Sequence, residues 1–233
     1  EIEAHRRTDA KLQQAKEVAE AVNLAKSRYV TGMSHELRTP LNSILGYAQI
    51  LQKDASIPAN RRDSIDVIRR SGEHLLGLID GLLDIAKIEA GRLRLDRGEV
   101  HLPELLDQIV KMFELQAEIK GLEFRFEGAD ALPVVVHADE RRLRQILINL
   151  LANAVKFTDS GSVTLKVNYQ REIARFEVTD TGIGIPAEDL ARIFLPFERT
   201  GTAKQRGDVG TGLGLAITRL LTLSLIHISE PTR

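Results

Sequence analysis

Four groups of side chains in this 233-residue sequence are of types, and at spacings, that could do chemistry. The first is His35, with Glu36 next to it and Pro40 five residues on. A neutral imidazole is a competent nucleophile near neutral pH, and a neighbouring carboxylate can accept a ring proton. Pro40 lacks an N–H and crowds the carbonyl of Glu36, which predicts a helix bend beside His35. A lone histidine on a helix is more often structural or solvated, so both readings stay open on this evidence. The second group is Asn149, Asn153 and Lys156, which at i, i+4 and i+7 share one helix face. Leu143, Leu147, Leu150, Leu151 and Ala154 fall on the other face, which is expected to bury. Two amides and an ammonium make either a solvated surface or a Mg-nucleotide site. The latter wants neutral oxygen ligands for a hard cation and a positive charge for the phosphates.

The third is Asp180. Strand parity puts Ala174, Phe176, Val178 and Asp180 on one face, the face expected to be buried. An acid ending an apolar face is costly unless it meets a donor. Asp180-Thr-Gly could be a simple turn, in which Asp bonds its own backbone. An ionised Asp nevertheless offers only acceptors, so it would suit the exocyclic amine of adenine and repel the carbonyl of guanine. Gly182 and Gly184 would let backbone approach a flat base closely. The fourth is Gly210-Thr211-Gly212-Leu213-Gly214, ahead of an apolar helical stretch. Glycines opening a helix leave free N–H groups and a positive dipole end for phosphates. The segment has neither the lysine of a P-loop nor dinucleotide-binding spacing. Before it, Arg199–Val209 is polar and glycine-containing, and sits where a lid over a nucleotide would sit.

The elements that must position these groups fall into two parts. Residues 1 to about 53 predict a long helix, with Leu12, Ala15, Ala19, Val22, Lys26, Tyr29 and Met33 as a heptad seam; the helix continues through Ile44, Leu45, Ala48 and Leu51 to a break at Ile57-Pro58. A second helix runs from about 60 to 90, with Ile65, Ile68, Gly72, Leu75, Ile79, Leu82 and Ala86 on its seam. Two long helices joined by a short loop make an antiparallel hairpin. One hairpin cannot cover both seams, so a homodimeric four-helix bundle is expected. Composition changes at Gly91, and beyond it helices and strands alternate: a helix over 103–120, strands at Leu122–Glu127 and Val134–His137, a helix capped by Asp139 and running to Phe157, then two alternating strands. This second domain reads as α+β, with helices against one sheet.

Composition narrows the function. Lys+Arg 32 against Asp+Glu 33 gives no bulk field for nucleic acid or an anionic membrane. The absence of cysteine excludes disulfides, thiolate nucleophiles and Cys-ligated zinc. No apolar run approaches the roughly 20 residues that span a bilayer, so no membrane contact is expected within this fragment. The first residue is Glu, which reads as a piece of a longer parent.

Taken in order, the segments resemble the sensor histidine kinases of two-component systems. Ser34–Asn42 looks like the family's H box, Asn149–Phe157 its N box and Asp180–Pro186 its first glycine box. Ile193–Arg199 resembles the F box and Gly210–Leu215 the second glycine box. The resemblance implies a signalling helix over 1–27, a dimerisation and phosphotransfer domain over 28–92, and a catalytic domain over 98–222. That catalytic domain would be an α/β-sandwich of the histidine-kinase/gyrase/chaperone type. It implies transfer of the γ-phosphoryl of ATP to His35 with Glu36 as base, then to an aspartate of a response regulator. Asn153, helped by Asn149, would hold Mg²⁺; Lys156 would contact phosphate, and Asp180 would read adenine. Phe157, Gly182, Gly184, Arg199, Gly210, Thr211, Gly212, Leu213 and Gly214 would complete the nucleotide site. Glu36 and Thr39 also match a pattern used in dephosphorylating the regulator. The expected setting is the cytoplasmic portion of a parent that can be membrane-anchored.

The sequence departs from the family's form at its end. Leu223–Arg233 resembles a translated sequencing adapter, so residues from about 223 read as an artefact, with the last strands missing and a sheet edge exposed. On that expectation the activity belongs to the parent. The rival readings are another ATPase of the same nucleotide-binding fold and a non-enzymatic dimeric scaffold. The first leaves His35-Glu36 on a hairpin unexplained; intact His35, Asn153 and Asp180 argue against the second.

Overall fold

The computed structural model describes residues 13–14, 30, 32–34, 36–54, 56–128, 132–198 and 211–226. The chain divides into two compact units, Glu1–Leu93 and Arg94–Arg233. The seam positions from Leu12 to Tyr29, His35, the Arg199–Val209 segment, Gly210 and His227 lie outside the described residues.

In the first unit, α1 covers 36–53 and α2 covers Ala59–Glu89. Arg38 pairs with Asp80 at 2.6 Å, and Gln52 donates to Asp66 at 3.2 Å. Numbers rise on one helix as they fall on the other, so the hairpin is antiparallel, as expected. Pro40 sits inside α1 without ending it. Leu41, Leu45 and Ile79 are buried together, with Leu76 packed against them. A Cβ on Gly72 would come within 2.8 Å of Leu45 Cδ2, so the missing side chain is what lets α2 approach α1 there.

The seams need one correction. Ile65, Gly72, Ile79 and Ala86 are buried, but Ile68, Leu75 and Leu82 of the same expected row are not. On α1, Leu45 and Ala48 are buried while Ile44 and Leu51 are exposed. A helix can turn only part of a wide apolar surface towards a single partner helix, and the rest stays outside.

The second unit runs β1 (Gly98–His101), α3 (Leu102–Lys120), β2 (Glu123–Gly128), β3 (Val135–Ala138), α4 (Glu140–Phe157), β4 (Ser162–Gln170), β5 (Ile173–Asp180) and α5 (Gly214–Ile226). The expected single sheet is two. β1 and β3 pair antiparallel; β2, β4 and β5 form a second sheet with β4 central, parallel to β2 and antiparallel to β5. β1 is not legible in the sequence, because Gly98-Glu-Val-His101 offers one apolar residue, Val100, too little to show alternation. Leu102, Leu105, Leu106, Ile109, Phe113 and Ala117 of α3 bury one stripe, with Leu143, Leu147 and Leu151 of α4. Both helices cover Val163, Leu165 and Val167 of β4, each fully inaccessible. Helix α5 continues past residue 223 to Ile226, with Leu223 and Ile226 exposed beyond its last buried residue, Leu221.

Candidate functional site

Helix α4 carries the first part of the site because both its ends are tied down. Asp139 caps it, as expected: Oδ1 accepts from the Arg142 N–H at 3.0 Å, and Oδ2 accepts from the Asp96 N–H at 3.0 Å. The last four carbonyls of a helix have no partner within it, and in α4 each has a donor from elsewhere. Thr158 Oγ1 donates to Ala154 at 2.8 Å; Lys120 Nζ donates to Val155 at 2.8 Å and Lys156 at 2.7 Å; the Ile183 N–H donates to Phe157 at 3.3 Å. Asn149, Asn153 and Lys156 then share the outward face, and Lys156 Nζ lies 4.8 Å from the centre of the Phe157 ring. Leu143, Leu147, Leu151 and Ala154 are buried as expected, whereas Leu150 is half-buried and turns to the site.

Asp180 ends β5 opposite Val163 in the register, on the face where Leu165 opposes Val178 and Val167 opposes Phe176. Strand parity therefore places it correctly, with one correction. Ala174, Phe176 and Val178 are half-buried, and Asp180 is exposed, because β5 is the sheet's edge and α4 ends beside it. Asp180 Oδ1 accepts from the Gly182 N–H at 2.9 Å, and no other hydrogen bond engages its carboxylate among the described residues. Gly182 does not line the hollow. A Cβ there would lie 2.4 Å from the Phe157 carbonyl oxygen, so its glycine identity serves close packing against α4 rather than approach to a base. Gly184 does line it, at φ +69°, a conformation that favours glycine. Thr181 fixes the segment from behind, its Oγ1 accepting from the Ser162 N–H at 2.9 Å.

The third wall comes from residues 193–198 and the start of α5. The Phe197 N–H donates to the Gly212 carbonyl at 3.0 Å, and Gly212 stands at φ +68° against the Phe197 backbone. Thr211 Oγ1 accepts from the Leu213 N–H at 3.1 Å, and Asn149 Nδ2 reaches the Gly214 carbonyl at 3.4 Å. Leu213 is buried, so it anchors the turn rather than lining the site. Arg192 bridges Glu198 at 2.8 Å, and this hydrogen bond raises the guanidinium pKa above its ordinary value.

These walls enclose a hollow of about 460 Å³. Asn149, Asn153, Lys156, Phe157, Asp180, Gly184, Thr211, Gly212 and Gly214 all line it. Sequence reasoning missed Ile183, Ile185, Ile193, Val178 and Glu198 on its wall. The alternation Ile183-Gly-Ile185 was the available signal: two exposed isoleucines in a loop beside an acid have no core to enter. Arg199 and Gly210 were also expected at the site, but lie outside the described residues. Glu36 and Thr39 are exposed on α1, in the first unit. A flat heteroaromatic group fits the isoleucine-lined part with an acceptor at Asp180, and an anion with a hard cation fits the amides and Lys156.

The chain matches the family model of the histidine kinase-, DNA gyrase B- and HSP90-like ATPases over residues 138–231, and that of the His kinase A (phospho-acceptor) domain over residues 25–91. The chain carries the phospho-acceptor domain and the ATPase domain of a histidine kinase, in that order. Among its relatives, the non-motile and phage-resistance protein of Caulobacter vibrioides is 42% identical over 87% of this chain and 25% of its own length. The histidine protein kinase DivJ of the same organism is 40% identical over 94% of this chain and 36% of its own length. The chain thus spans about a quarter to a third of these curated relatives. Among solved structures, full-length ShkA in complex with AMPPNP aligns with a TM-score of 0.69 at 38% identity, over 84% of this chain and 41% of that one. Both matched segments follow the order of the chain's two units, the phospho-acceptor segment in the first and the ATPase segment in the second. No described helix is long and apolar enough to cross a membrane.

Proposed function

We propose that the second unit binds Mg-ATP in the α4–β5–α5 hollow and that His35 is the phosphoryl acceptor of this histidine kinase. The observation that carries the reading is the convergence of Asn149, Asn153, Lys156 and Asp180 on one hollow from two distant segments. Bound Mg-ATP would supply the γ-phosphoryl group. Asn153 and Asn149 offer neutral oxygens to the metal, Lys156 offers a cation to the phosphates, and Asp180 Oδ2 offers an acceptor to the adenine amine. His35 attacks with one ring nitrogen, Glu36 receives the proton from the other, and ADP departs. The phosphoryl group then passes to an aspartate of a response-regulator receiver domain, and Glu36 and Thr39 are proposed to serve the reverse, dephosphorylating direction. The test is labelling of the intact parent with ATP and Mg²⁺, which should give a bond stable in base and labile in acid. His35→Gln should reduce that label to background. Label surviving the substitution would assign the acceptor elsewhere.

We further infer that the hairpin works as a homodimer. Leu37, Ile44 and Leu51 recur every seven residues on α1, as Ile68, Leu75 and Leu82 do on α2, and each is at least 37% exposed. Two heptad rows left outside the hairpin core are what a second hairpin would cover to complete a four-helix bundle. Leu75→Glu places a charge in that row without touching the nucleotide site. Sedimentation should change from dimer to monomer at micromolar concentration; an unchanged dimer would remove the row from the interface.

A further inference from the structure

Lys120 lies outside every motif that identifies the nucleotide site, yet its ammonium closes the end of the helix that carries that site. Helix α3 stops immediately after it. Gly121 adopts φ 75°, and the Leu122 N–H returns to the Ala117 carbonyl at 2.8 Å. The stop fixes where the Lys120 side chain departs. Its Nζ then donates to the carbonyls of Val155 at 2.8 Å and Lys156 at 2.7 Å, bridging 35 and 36 residues of sequence. The next carbonyl, that of Phe157, accepts from Ile183 in the Asp180–Gly184 segment. One helical turn therefore joins Lys120, the Lys156 and Asn153 face, and the segment that carries Asp180.

We propose that Lys120 is a positioning residue for the nucleotide. It holds the last turn of α4, from which Lys156 projects, and it offsets the negative carbonyl end of that turn beside the ammonium proposed to meet the phosphates. A helix C-terminus carries about half a negative charge on its unpaired carbonyls, and a lysine bonded to them is the natural compensation. Without it, two carbonyls lose their donors and the turn bearing Lys156 frays. The ammonium proposed to meet the phosphates then stands beside an uncompensated carbonyl end. The proposal rests on the reading of the hollow as a nucleotide site.

The experiment measures binding of adenosine, ADP and the ATP analogue AMPPNP with Mg²⁺ to the full chain and to Lys120→Met. AMPPNP affinity should fall at least fivefold, with a smaller loss for ADP and less than twofold for uncharged adenosine. Lys120→Arg, which can donate to the same carbonyls, should return AMPPNP affinity to within twofold. A structural role alone would weaken all three ligands equally. An equal loss across the ligands, unchanged AMPPNP affinity in Lys120→Met, or no recovery in Lys120→Arg would each overturn the proposal. If Lys120→Met does not fold, Lys120→Gln is judged by the same criteria, since it keeps a donor and removes the charge. Failure of the unsubstituted chain to bind AMPPNP would instead overturn the nucleotide-site reading.

Discussion

Asp180→Asn should weaken ATP binding by about 10- to 100-fold while leaving the fold and the dimer intact. One carboxylate oxygen, Oδ1, already accepts from the Gly182 N–H at 2.9 Å. An asparagine can keep that bond through its own Oδ1, so the turn after β5 survives. Its remaining atom is then Nδ2, a donor, pointed where the adenine amine needs an acceptor. Loss of a hydrogen bond to a charged group costs about 1.5–3 kcal/mol, which at about 1.4 kcal/mol per tenfold gives the stated range. The measurement is equilibrium titration with a non-hydrolysable ATP analogue, beside a melting curve. Unchanged affinity would remove Asp180 from base recognition, whatever happened to activity.

Gly212→Ala should have an effect at least as large, for a different reason. Gly212 stands at φ +68°, where an L-residue is disfavoured by about 1–2 kcal/mol. The added Cβ would also lie 2.8 Å from the Phe197 carbonyl carbon, 2.9 Å from Phe197 Cα and 3.0 Å from the Glu198 carbonyl oxygen. Those are backbone atoms, so no rotamer change relieves the contact. Phe197 is itself held at φ 65°, an uncommon conformation for a bulky side chain, and its N–H bonds the Gly212 carbonyl. The alanine should therefore push the 193–198 wall off the start of α5 and open the hollow. Nucleotide affinity should fall more than tenfold, while the α3–α4–β4 core, which excludes both residues, keeps its helical signal. An affinity within twofold of the original would show that this wall is not needed for binding.

Much of this site was legible because its signals are local. The i, i+4, i+7 spacing of Asn149, Asn153 and Lys156 fixes a shared face on any helix, and Asp139 at the start of that helix is a cap by side-chain chemistry alone. Two-residue alternation fixed the face of Asp180 before any partner strand was known. The hairpin turn at Arg171-Glu172 was less legible. Both residues take positive φ without being Gly or Asn, because the pairing of β4 with β5 on either side imposes the turn.

The sequence by itself determined the family, the two-part organisation, the helix presenting two amides and a lysine, and the acid at the end of an apolar face. Each depends on spacing within one segment or on the order of segments. Only the tertiary structure decided the rest: that the strands divide between two sheets, that Gly182 packs against the Phe157 carbonyl while Gly184 lines the hollow, that Leu150 faces the site, and that Lys120 caps the helix from which Lys156 projects. The physical reason is common to all of them. Backbone donors, acceptors and missing Cβ atoms look alike along a chain, and only the partner that folding brings to each one gives it a role.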